Sequence, residues 1–458
     1  MSDLYGSSGV SVIDLATNTL DGTIVVGHGP EYLAMGSLPP APQLALAVDS
    51  GIPSDEVTNV GTVVLSGLQS GATWQYSTDG GSHWINGSGT SFTLTGDGTK
   101  SVLVHQTNAA HVTSSDNSLS FLLDTQAPVV TETLNKDTGS SSTDHITNNS
   151  TLTGSGDPNA IVHFTVDGVA TTATATADSS GHWTFSPTGL SDGAHTIIAT
   201  ETDLAGNTGT ASLAFTLDTT APVPTITNET LSNGKVTLVG TTAEANDAIS
   251  VYDGSSLLGT VTTDSNGNWN FVAQKVSNAV YVYTATATDS AGNVGHGSNE
   301  AILGSTNADT LVGGSGNDII IGNGGNDTFK GGGGADTLFG GSGHDTFVLN
   351  AITDSTPASH DTIVSFNHAT DQIEFANIAG ITASNGVPTF EGKLAGSGNL
   401  TLNAHSVGYI EVGGNTEVLV NTTASAESVT LSDTHAANME IVLSGSHLGL
   451  TSHDFHLL

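Results

Sequence analysis

The dominant pattern between residues 41 and 303 is a short-range alternation of apolar and polar positions. Segments such as IVHFTV (161–166) place a large apolar residue at every second position, and clusters of Gly, Asn, Asp and Ser separate these segments. A period of two is typical of strands that bury one face, whereas a helix would require a period of 3.6, which is not sustained in this stretch. The pattern therefore predicts an all-β chain.

The first forty residues predict a β-hairpin. Apolar positions alternate over 10–15 and 20–26, on either side of a turn centred on Asn18. A single hairpin cannot bury both of its faces in water, so we expect residues 1–40 to be marginally stable unless they dock on the next module. This segment also suggests that the chain is the C-terminal remainder of a longer protein, or that its start codon was placed too late.

Three long repeats follow the hairpin. Each opens on Ala-Pro, with prolines at 42, 128 and 222, and the spacings of 86 and 94 residues are those of an immunoglobulin-like sandwich. DSSGHWTF (178–185) and TDLAGN (202–207) recur 86 residues later as DSNGNWNF and TDSAGN. We therefore predict module 1 at 41–126, module 2 at 127–220 and module 3 at 221–303.

The repeated tryptophans predict the module cores. Trp183 and Phe185 lie two apart in a predicted strand, as do Trp269 and Phe271, so each pair shares one face. Core packing is the interpretation we favour, and stacking on carbohydrate is the alternative. Module 1 departs from the pattern, with an additional Trp74 and the segment TDGGSHW (78–84).

A nine-residue pattern is written five times between residues 304 and 348: GSTNADTLV, GGSGNDIII, GNGGNDTFK, GGGGADTLF and GGSGHDTFV. An aspartate occupies the sixth place of each unit: Asp309, Asp318, Asp327, Asp336 and Asp345. The eighth place is apolar: Leu311, Ile320, Phe329, Leu338 and Phe347. A flexible linker would not keep these positions in phase, so we predict turns and short strands that stack around a thin core.

The residue types in the turns predict the metal. Glycine allows crowded or left-handed backbone, so carbonyl oxygens of the turns can point inward beside the Asp carboxylates. The candidate turn glycines are Gly313, Gly316, Gly322, Gly325, Gly331 and Gly334. Hard oxygen ligands, without Cys or clustered His, select Ca²⁺ over zinc or copper. Calcium is therefore the cofactor that the sequence predicts.

Composition excludes several functions. The formal net charge of −38 reflects 44 acidic residues against six lysines and no arginine, which makes nucleic acid and anionic membranes poor partners. There is no cysteine, and no apolar run approaches the roughly 20 residues of a membrane span. The start of the sequence lacks a basic segment followed by an apolar one, so it is not a Sec signal peptide. HExxH and GxSxG are both absent, and we predict that the chain is not an enzyme.

The nonapeptides resemble the repeats-in-toxin (RTX) family, and the modules resemble bacterial Ig-like (Big) repeats of surface adhesins. The RTX resemblance implies a parallel β-roll at 304–350, in which two units complete one coil and ions lie between turns n and n + 2. Asp309 would then pair with Asp327, Asp318 with Asp336, and Asp327 with Asp345, holding about three ions. The first unit is the weakest, because Ser305 and Asn307 stand where glycines belong.

The segment HDTIVSFNHATDQIEF (360–375) resembles the one that follows the roll in serralysin-type secreted proteins. By that resemblance Asp361 and Asp371 complete the last calcium sites; the alternative is that they are surface carboxylates. Ser365 replaces the usual Asp, and Glu374-Phe375 replaces Asp-Leu.

Both ends of the chain carry further resemblances. Residues 351–458, which end in DFHLL, resemble the C-terminal target domain of type I secreted proteins, which implies a β-rich cap and an ABC-type exporter as a partner. The DFHLL segment is interpreted as a final strand that also forms part of the secretion signal. Residues 1–40 resemble one blade of a YVTN-type β-propeller. Big repeats further imply calcium at module junctions, on Asp124, Asp218, Asp203 and Asp289; Asx turns are the alternative for these residues.

The combined prediction is an all-β chain of tandem Ig-like sandwiches, a parallel β-roll and a β-rich C-terminal cap. We expect a secreted, extracellular, calcium-binding RTX adhesin-like protein, either released or associated with the cell surface. Its modules would act as a spacer or contact cell-surface or matrix glycans or proteins. The alternatives are the C-terminal portion of a larger secreted enzyme and a surface-layer or biofilm-matrix protein.

Overall fold

The computed structural model describes residues 9–14, 19–25, 38–274, 277–378, 380–381, 389–395, 399–430 and 437–457. These residues form strands, turns and two 3-10 turns, and no α-helix occurs among them. None of these described segments contains a helix long and apolar enough to cross a membrane. The all-β fold class predicted from the alternation is confirmed.

The predicted N-terminal hairpin corresponds to two paired strands. Strand β1 (Gly9–Asp14) runs antiparallel to β2 (Thr19–Val25), with Asp14 opposite Thr19. The intervening turn, including Asn18, lies outside the described residues. The resemblance to a propeller blade stays a prediction.

Module 1 is a sandwich of two antiparallel sheets. Its strands are β3 (Gln43–Leu46), β4 (Val57–Thr58), β5 (Thr62–Ser66), β6 (Thr73–Ser77), β7 (Ile85–Asn86), β8 (Ser91–Thr93), β9 (Gly98–Thr107) and β10 (Asn117–Leu123). One sheet has the order β3-β5-β8, and the other has the order β4-β10-β9-β6-β7, in which β4 joins β10 in parallel. Trp74 is buried between the sheets, whereas Trp84 lies outside the strands and packs against His105, with the two rings tilted by 38° and their centroids 3.9 Å apart.

Module 2 contains β11 (Thr131–Leu134), β12 (Ile146–Thr147), β13 (Leu152–Ser155), β14 (Ile161–Val166), β15 (Val169–Thr176), β16 (His182–Phe185), β17 (Gly193–Thr202) and β18 (Thr208–Leu217). The chain divides into two compact units whose boundary runs through this module: 1–132, 153–184 and 197–212 form the first, and the remainder forms the second. In the first unit β14 pairs with β15 and β17, and Trp183 packs edge-on against Phe164. In the second, β12 joins the end of β18 in parallel.

Module 3 contains β19 (Thr225–Ser232), β20 (Lys235–Thr241), β21 (Ala248–Asp253), β22 (Ser256–Thr262), β23 (Asn268–Gln274), β24 (Tyr281–Thr288), β25 (Val294–His296) and β26 (Ala301–Leu303). One sheet has the order β19-β20-β23. The other begins β22-β21-β24-β26 and does not end there. Trp269 is buried in the core and Phe271 packs against it, as predicted for the Trp/Phe pair.

The nonapeptides form two parallel sheets that share one core. The strands are β27 (Thr310–Val312), β28 (Ile319–Ile321), β29 (Thr328–Lys330), β30 (Thr337–Phe339), β31 (Thr346–Leu349), β32 (Asp361–Val364) and β33 (Gln372–Phe375). Strands β26-β28-β30-β32 and β27-β29-β31-β33 alternate between the two sheets. Each strand pairs with the one two units later, as Leu311 does with Phe329, so two units complete one coil. The apolar eighth positions meet inside, where Phe329 stacks on Phe347 at 4.8 Å.

The C-terminal region extends both sheets of the roll. Its strands are β34 (Thr389–Lys393), β35 (Leu400–Leu402), β36 (Ser406–Val412), β37 (Asn415–Asn421), β38 (Glu427–Val429), β39 (Met439–Leu443) and β40 (Phe455–Leu457). β39 pairs in parallel with β32, and β40 pairs in parallel with β33. The last segment, DFHLL, therefore contains a strand of the roll sheet; Leu458 lies outside the described residues.

Candidate metal centre

Each repeated aspartate stands at the end of a turn, directly before a strand of the roll. From Asp318 onward, its Oδ1 atom accepts a hydrogen bond from the backbone N–H of the corresponding residue one coil earlier, as Asp327 does from Asp309. Six such bonds of 2.7–3.3 Å form a continuous ladder: Glu300 to Asp318, Asp309 to Asp327, Asp318 to Asp336, Asp327 to Asp345, Asp336 to Asp361, and Asp345 to Asp371. The turns are thus stacked in register on both sides of the roll.

The second carboxylate oxygen divides the aspartates into two groups. Oδ2 of Asp309 and Asp318 accepts a turn amide, from Ser305 and Gly314 respectively, each at 2.7 Å. Three other Oδ2 atoms are buried and have no hydrogen-bond partner in the described part of the chain: those of Asp327, Asp336 and Asp345. Oxygen atoms that are buried without a donor are costly unless a cation faces them.

The six predicted glycines form two sets with different neighbours. A Cβ on Gly313, Gly322 or Gly331 would collide with the Oδ2 atom of the aspartate in the same unit. A Cβ on Gly316, Gly325 or Gly334 would collide with a backbone carbonyl of the turn one coil earlier. The first set leaves room around the carboxylate, and the second brings carbonyl oxygens close to the next turn.

Burial dominates the electrostatics of these turns. Desolvation raises the pKa of Asp318 to about 7 and that of Asp327 to about 6, against hydrogen bonds from backbone amides that lower it. Desolvation also raises the pKa of Asp345, and that of the closely placed pair Asp336 and Asp361. Neighbouring carboxylates add to the rise in pKa at these positions, so a positive charge between the turns would favour the ionised carboxylates.

The arrangement fits calcium and no softer metal. The available donors are carboxylate and carbonyl oxygens, and the unpartnered Oδ2 atoms lie beside the glycine-lined space. Ca²⁺ accepts six to eight oxygen ligands at about 2.3–2.6 Å, and it tolerates the irregular geometry that such turns offer. When bound, it would neutralise the stacked carboxylates of neighbouring turns.

Asp361 and Asp371 occupy the next two positions of the ladder. They accept the amides of Asp336 and Asp345, although 25 and 26 residues separate the partners instead of 18. The additional residues form a loop that includes a 3-10 turn at Ile352–Asp354, and the chain then re-enters the roll in register. The first unit also keeps the turn despite its departures, because Ser305 N–H reaches Asp309.

Glu300 is a ladder residue that the sequence prediction missed. It stands 18 residues before Asp318, at the sixth place of the segment GHGSNEAIL (295–303), whose eighth place is Ile302. The glycines of that segment and its apolar eighth position carried the signal. The nonapeptide pattern of this segment was hidden because the same residues also continue the apolar–polar alternation of the strands of module 3. With this position the ladder has six pairs of turns: the three predicted among the five units, the two that end at Asp361 and Asp371, and the one that begins at Glu300.

A second acidic group lies at the start of module 3. Carboxylate oxygens of Asp218, Glu244 and Asp289 all lie within 4.8 Å of one another. The nearby Asp247 is buried, and its Oδ2 has no hydrogen-bond partner in the described part of the chain. Burial raises the pKa of Glu244 and of Asp247. The sequence indicated Asp218 and Asp289, but not Glu244.

The TDxAGN turns clasp the preceding module by the same contacts at both junctions. Asn207 donates to the Asp124 carbonyl and to Asp203, and Asn293 donates to the Asp218 carbonyl and to Asp289. Asp203 and Asp289 also accept the backbone N–H of these asparagines, four residues further on. Asp124 and Asp218 accept the backbone N–H two residues on, from Gln126 and Thr220, and these two bonds are the Asx turns of the alternative prediction.

The fold and the ladder together define a class of protein, in which Ig-like sandwiches continue into a parallel roll of calcium-type nonapeptides. Residues 126–219 and 225–303 match the bacterial Ig-like domain family. Three overlapping windows, 294–329, 303–338 and 312–347, match the RTX calcium-binding nonapeptide repeat. The chain therefore contains bacterial Ig-like domains and RTX repeats.

Several solved structures are similar to parts of the chain. The tetra-tandem repeat in the extending region of a large adhesion protein is 22% identical and covers 56% of this chain and 73% of its own, with a TM-score of 0.22. A 1.5-MDa bacterial ice-binding adhesin is 21% identical over 57% of this chain and 96% of its own, with a TM-score of 0.25. The AlgE6R2 subunit of the Azotobacter vinelandii mannuronan C5-epimerase is 25% identical over 33% and 89%, with a TM-score of 0.20. No curated protein matches the sequence.

Acid is expected to stabilise the calcium-free roll. The pKa of Asp318 (about 7) and of Asp327 (about 6) lies above the usual value, so the folded state binds more protons than the unfolded chain. The resulting stabilisation is complete below the unfolded pKa and is lost as the pH rises through 6 to 7. In chelator, far-UV circular dichroism should show more β signal at pH 5 than at pH 8. Equal signals, or a loss at pH 5, would contradict this electrostatic account.

Proposed function

We propose that this protein is a secreted, calcium-binding, adhesin-like protein whose roll folds when it meets calcium outside the cell. The observation that carries the proposal is the ladder of six stacked pairs of turns, in which three buried aspartate oxygens have no hydrogen-bond partner in the described residues. The proposed ligands are the ladder carboxylates together with carbonyls of the turn glycines.

Calcium acts here as a folding ligand. Without it the roll would have to bury stacked carboxylates in a chain that offers only six lysines as counter-charge. Cytosolic calcium is low, whereas extracellular sites of this kind bind with dissociation constants of roughly 10⁻⁴–10⁻³ M and fill at the millimolar levels found outside. The chain would thus be unfolded in this region during export and folded after it.

The Ig-like modules serve as a spacer or an adhesive surface. Both junctions contain the same hydrogen bond from an asparagine to an aspartate carbonyl. The group of Asp218, Glu244 and Asp289 offers a further cation position at the second junction. An ion there would hold module 3 to the segment that precedes it. Cell-surface or matrix glycans or proteins are the proposed partners of the exposed faces.

The C-terminal region is the proposed secretion target domain. It comprises residues 351–458, and its final strand β40 lies beside β33 of the roll. An ABC-type exporter would read this region while it is unfolded, and the same residues would cap the roll once folded. The proposed domain organisation keeps the predicted boundaries at 40, 126, 220, 303 and 350. The proposed role is structural rather than enzymatic.

The proposal is tested by far-UV circular dichroism of the full chain at pH 7.5. Adding millimolar calcium to chelated protein should increase the β signal, and excess chelator should reverse the change. Magnesium at the same concentration is the control, and it should have a much smaller effect, because it demands tighter octahedral geometry. Identical spectra in calcium and in chelator would refute the proposal.

A further inference from the structure

Strand β26 is shared between module 3 and the roll. It runs antiparallel to β24 of module 3, with Val282 opposite Ile302, and parallel to β28 of the roll, with Ile302 opposite Ile320. Successive side chains of a strand point to opposite faces. Ala301 and Leu303 are accordingly buried in the core of module 3, whereas Ile302 is buried in the core of the roll. Neither core is complete without this strand.

The sequence of the second repeat is adapted to this contact. The seventh place of the other four units is threonine, at positions 310, 328, 337 and 346, but in the second unit it is Ile319. Ile319 is 8% exposed and belongs to the core of module 3, and Ile321 and Phe339 pack against the same core. These side chains lie on the outer face of the roll, which explains why apolar residues are used there.

Strand β28 of the roll also takes a place that modules 1 and 2 fill with a strand of their own. In module 1 the short strand β4 pairs in parallel with β10, and in module 2 the short strand β12 pairs in parallel with β18. In the described part of module 3, the parallel neighbour of β26 is β28 of the roll. The roll therefore finishes the sheet of module 3.

The turn at this boundary makes the same contacts as the aspartate turns of the ladder. Glu300 N–H donates to Asp318 Oδ1 at 2.7 Å, and Asn299 donates to the Asn317 carbonyl at 2.6 Å. A Cβ on Gly316 would collide with the Ser298 carbonyl. A Cβ on Gly325 or Gly334 would collide in the same way with a carbonyl one coil earlier. The carboxyl carbon of Glu300 would lie 3.9 Å from a Cβ placed on Gly314. The longer Glu side chain is thus directed toward the turn that ends at Asp318.

We propose that Glu300 and the Asp318 turn hold a boundary calcium ion, and that this ion makes module 3 fold together with the roll. The ion would link the turn that ends at Glu300, the last turn of module 3, to the turn that ends at Asp318. It would thereby hold β28 beside β26. Module 3 then becomes a calcium-dependent Ig-like module, whereas module 1, which completes its own sheet, does not. This inference rests on the proposed calcium-dependent folding of the roll.

Hydrogen exchange of the full chain, followed by mass spectrometry of peptides, tests the inference. Calcium should slow exchange at least about tenfold both in the roll (residues 310–349) and in β24 and β26 of module 3. Exchange in β9 and β10 of module 1 should stay the same and provides the internal control. If calcium protects the roll but leaves module 3 unchanged, the inference is wrong and the proposed function stands. If calcium changes neither region, both are wrong.

Two substitutions separate the ion from the apolar contact. Glu300→Gln should lower the calorimetric calcium count by one and reduce the protection of β26, and Glu374→Gln, in strand β33, should do neither. Ile319→Thr restores the residue of the other units, so the roll should still fold with calcium while β24 gains much less protection. Wild-type calcium count and module 3 protection in Glu300→Gln, or wild-type protection of β24 in Ile319→Thr, would overturn the coupling.

Discussion

Replacing Asp327 by alanine is expected to remove calcium from the central turns of the roll. Its Oδ1 accepts the Asp309 amide at 2.9 Å, and its buried Oδ2 has no hydrogen-bond partner among the described residues. The substitution removes a ligand and also leaves the half-buried Asp309 amide without its acceptor, which adds a cost of about 1 kcal/mol. We expect the calcium concentration at the folding midpoint, followed by circular dichroism, to rise at least about tenfold.

Asp327→Asn distinguishes the two contributions to that effect. Asparagine keeps an oxygen that can accept the Asp309 amide, but it removes the charge that calcium requires. This variant should therefore lose the ion while retaining the turn better than the alanine variant. Asp144→Asn, at an exposed position in module 2, is the matched control and should leave the midpoint unchanged. A wild-type midpoint for both Asp327 variants would exclude this residue as a ligand.

Phe329→Ala is expected to produce the largest loss of stability in the calcium-loaded roll. Phe329 is fully buried and stacks on Phe347, with ring centroids 4.8 Å apart. Truncating a buried phenylalanine leaves a cavity, and it usually costs about 3–5 kcal/mol. The roll core is only one side-chain layer thick, so neighbouring residues have little freedom to fill the space. Denaturant titration in saturating calcium, with hydrogen exchange of peptides from 304–375 as the probe, measures the loss.

The control for this variant is Val312→Ala, on a neighbouring strand of the same sheet. Val312 is 52% exposed, and a surface truncation usually changes stability by no more than about 0.5 kcal/mol. Both variants should keep the wild-type number of calcium ions, because neither residue is a ligand. Equal stability of the two variants would show that the stacked aromatic core does not hold the roll together.

The period of the nonapeptides was enough to predict stacked turns and short strands around a thin core, and the RTX resemblance implied the two-unit coil and the pairing of aspartates between turns. A repeat of nine residues leaves few ways to bury one apolar side chain per unit. The sequence pattern and the tertiary packing therefore place the same residue of each unit in the core. The module cores were also predictable from a repeat, since Trp183 and Trp269 follow equivalent turns, DSSGH and DSNGN, and both are buried.

The ends of the roll were harder to predict, because they depend on contacts that are distant in sequence. The spacing of nine is broken before Asp361, and only the folded loop at 350–360 restores the register. Glu300 was missed since its segment satisfies two patterns at once. Glu244 approaches Asp218 and Asp289 only through the packing of module 3, and no spacing in the sequence indicates it.

The replacement of threonine by Ile319 shows how a departure from a repeat carries information. Taken alone, it resembles ordinary variation within the nonapeptides. In the fold it identifies the face on which the roll meets module 3, which no periodicity could indicate. Ser305 is an opposite case, because the turn tolerates it through a hydrogen bond between its own backbone N–H and Asp309.

Calorimetric titration of the full chain with calcium tests the central claim most directly, because it counts the ions that the ladder holds. The six pairs of stacked turns predict about six ions, and the group at Asp218 adds to that number if it also binds. A variant with asparagine at Asp318, Asp327, Asp336 and Asp345 should lose most of this uptake. No uptake at millimolar calcium, or the same count in that variant, would contradict the account.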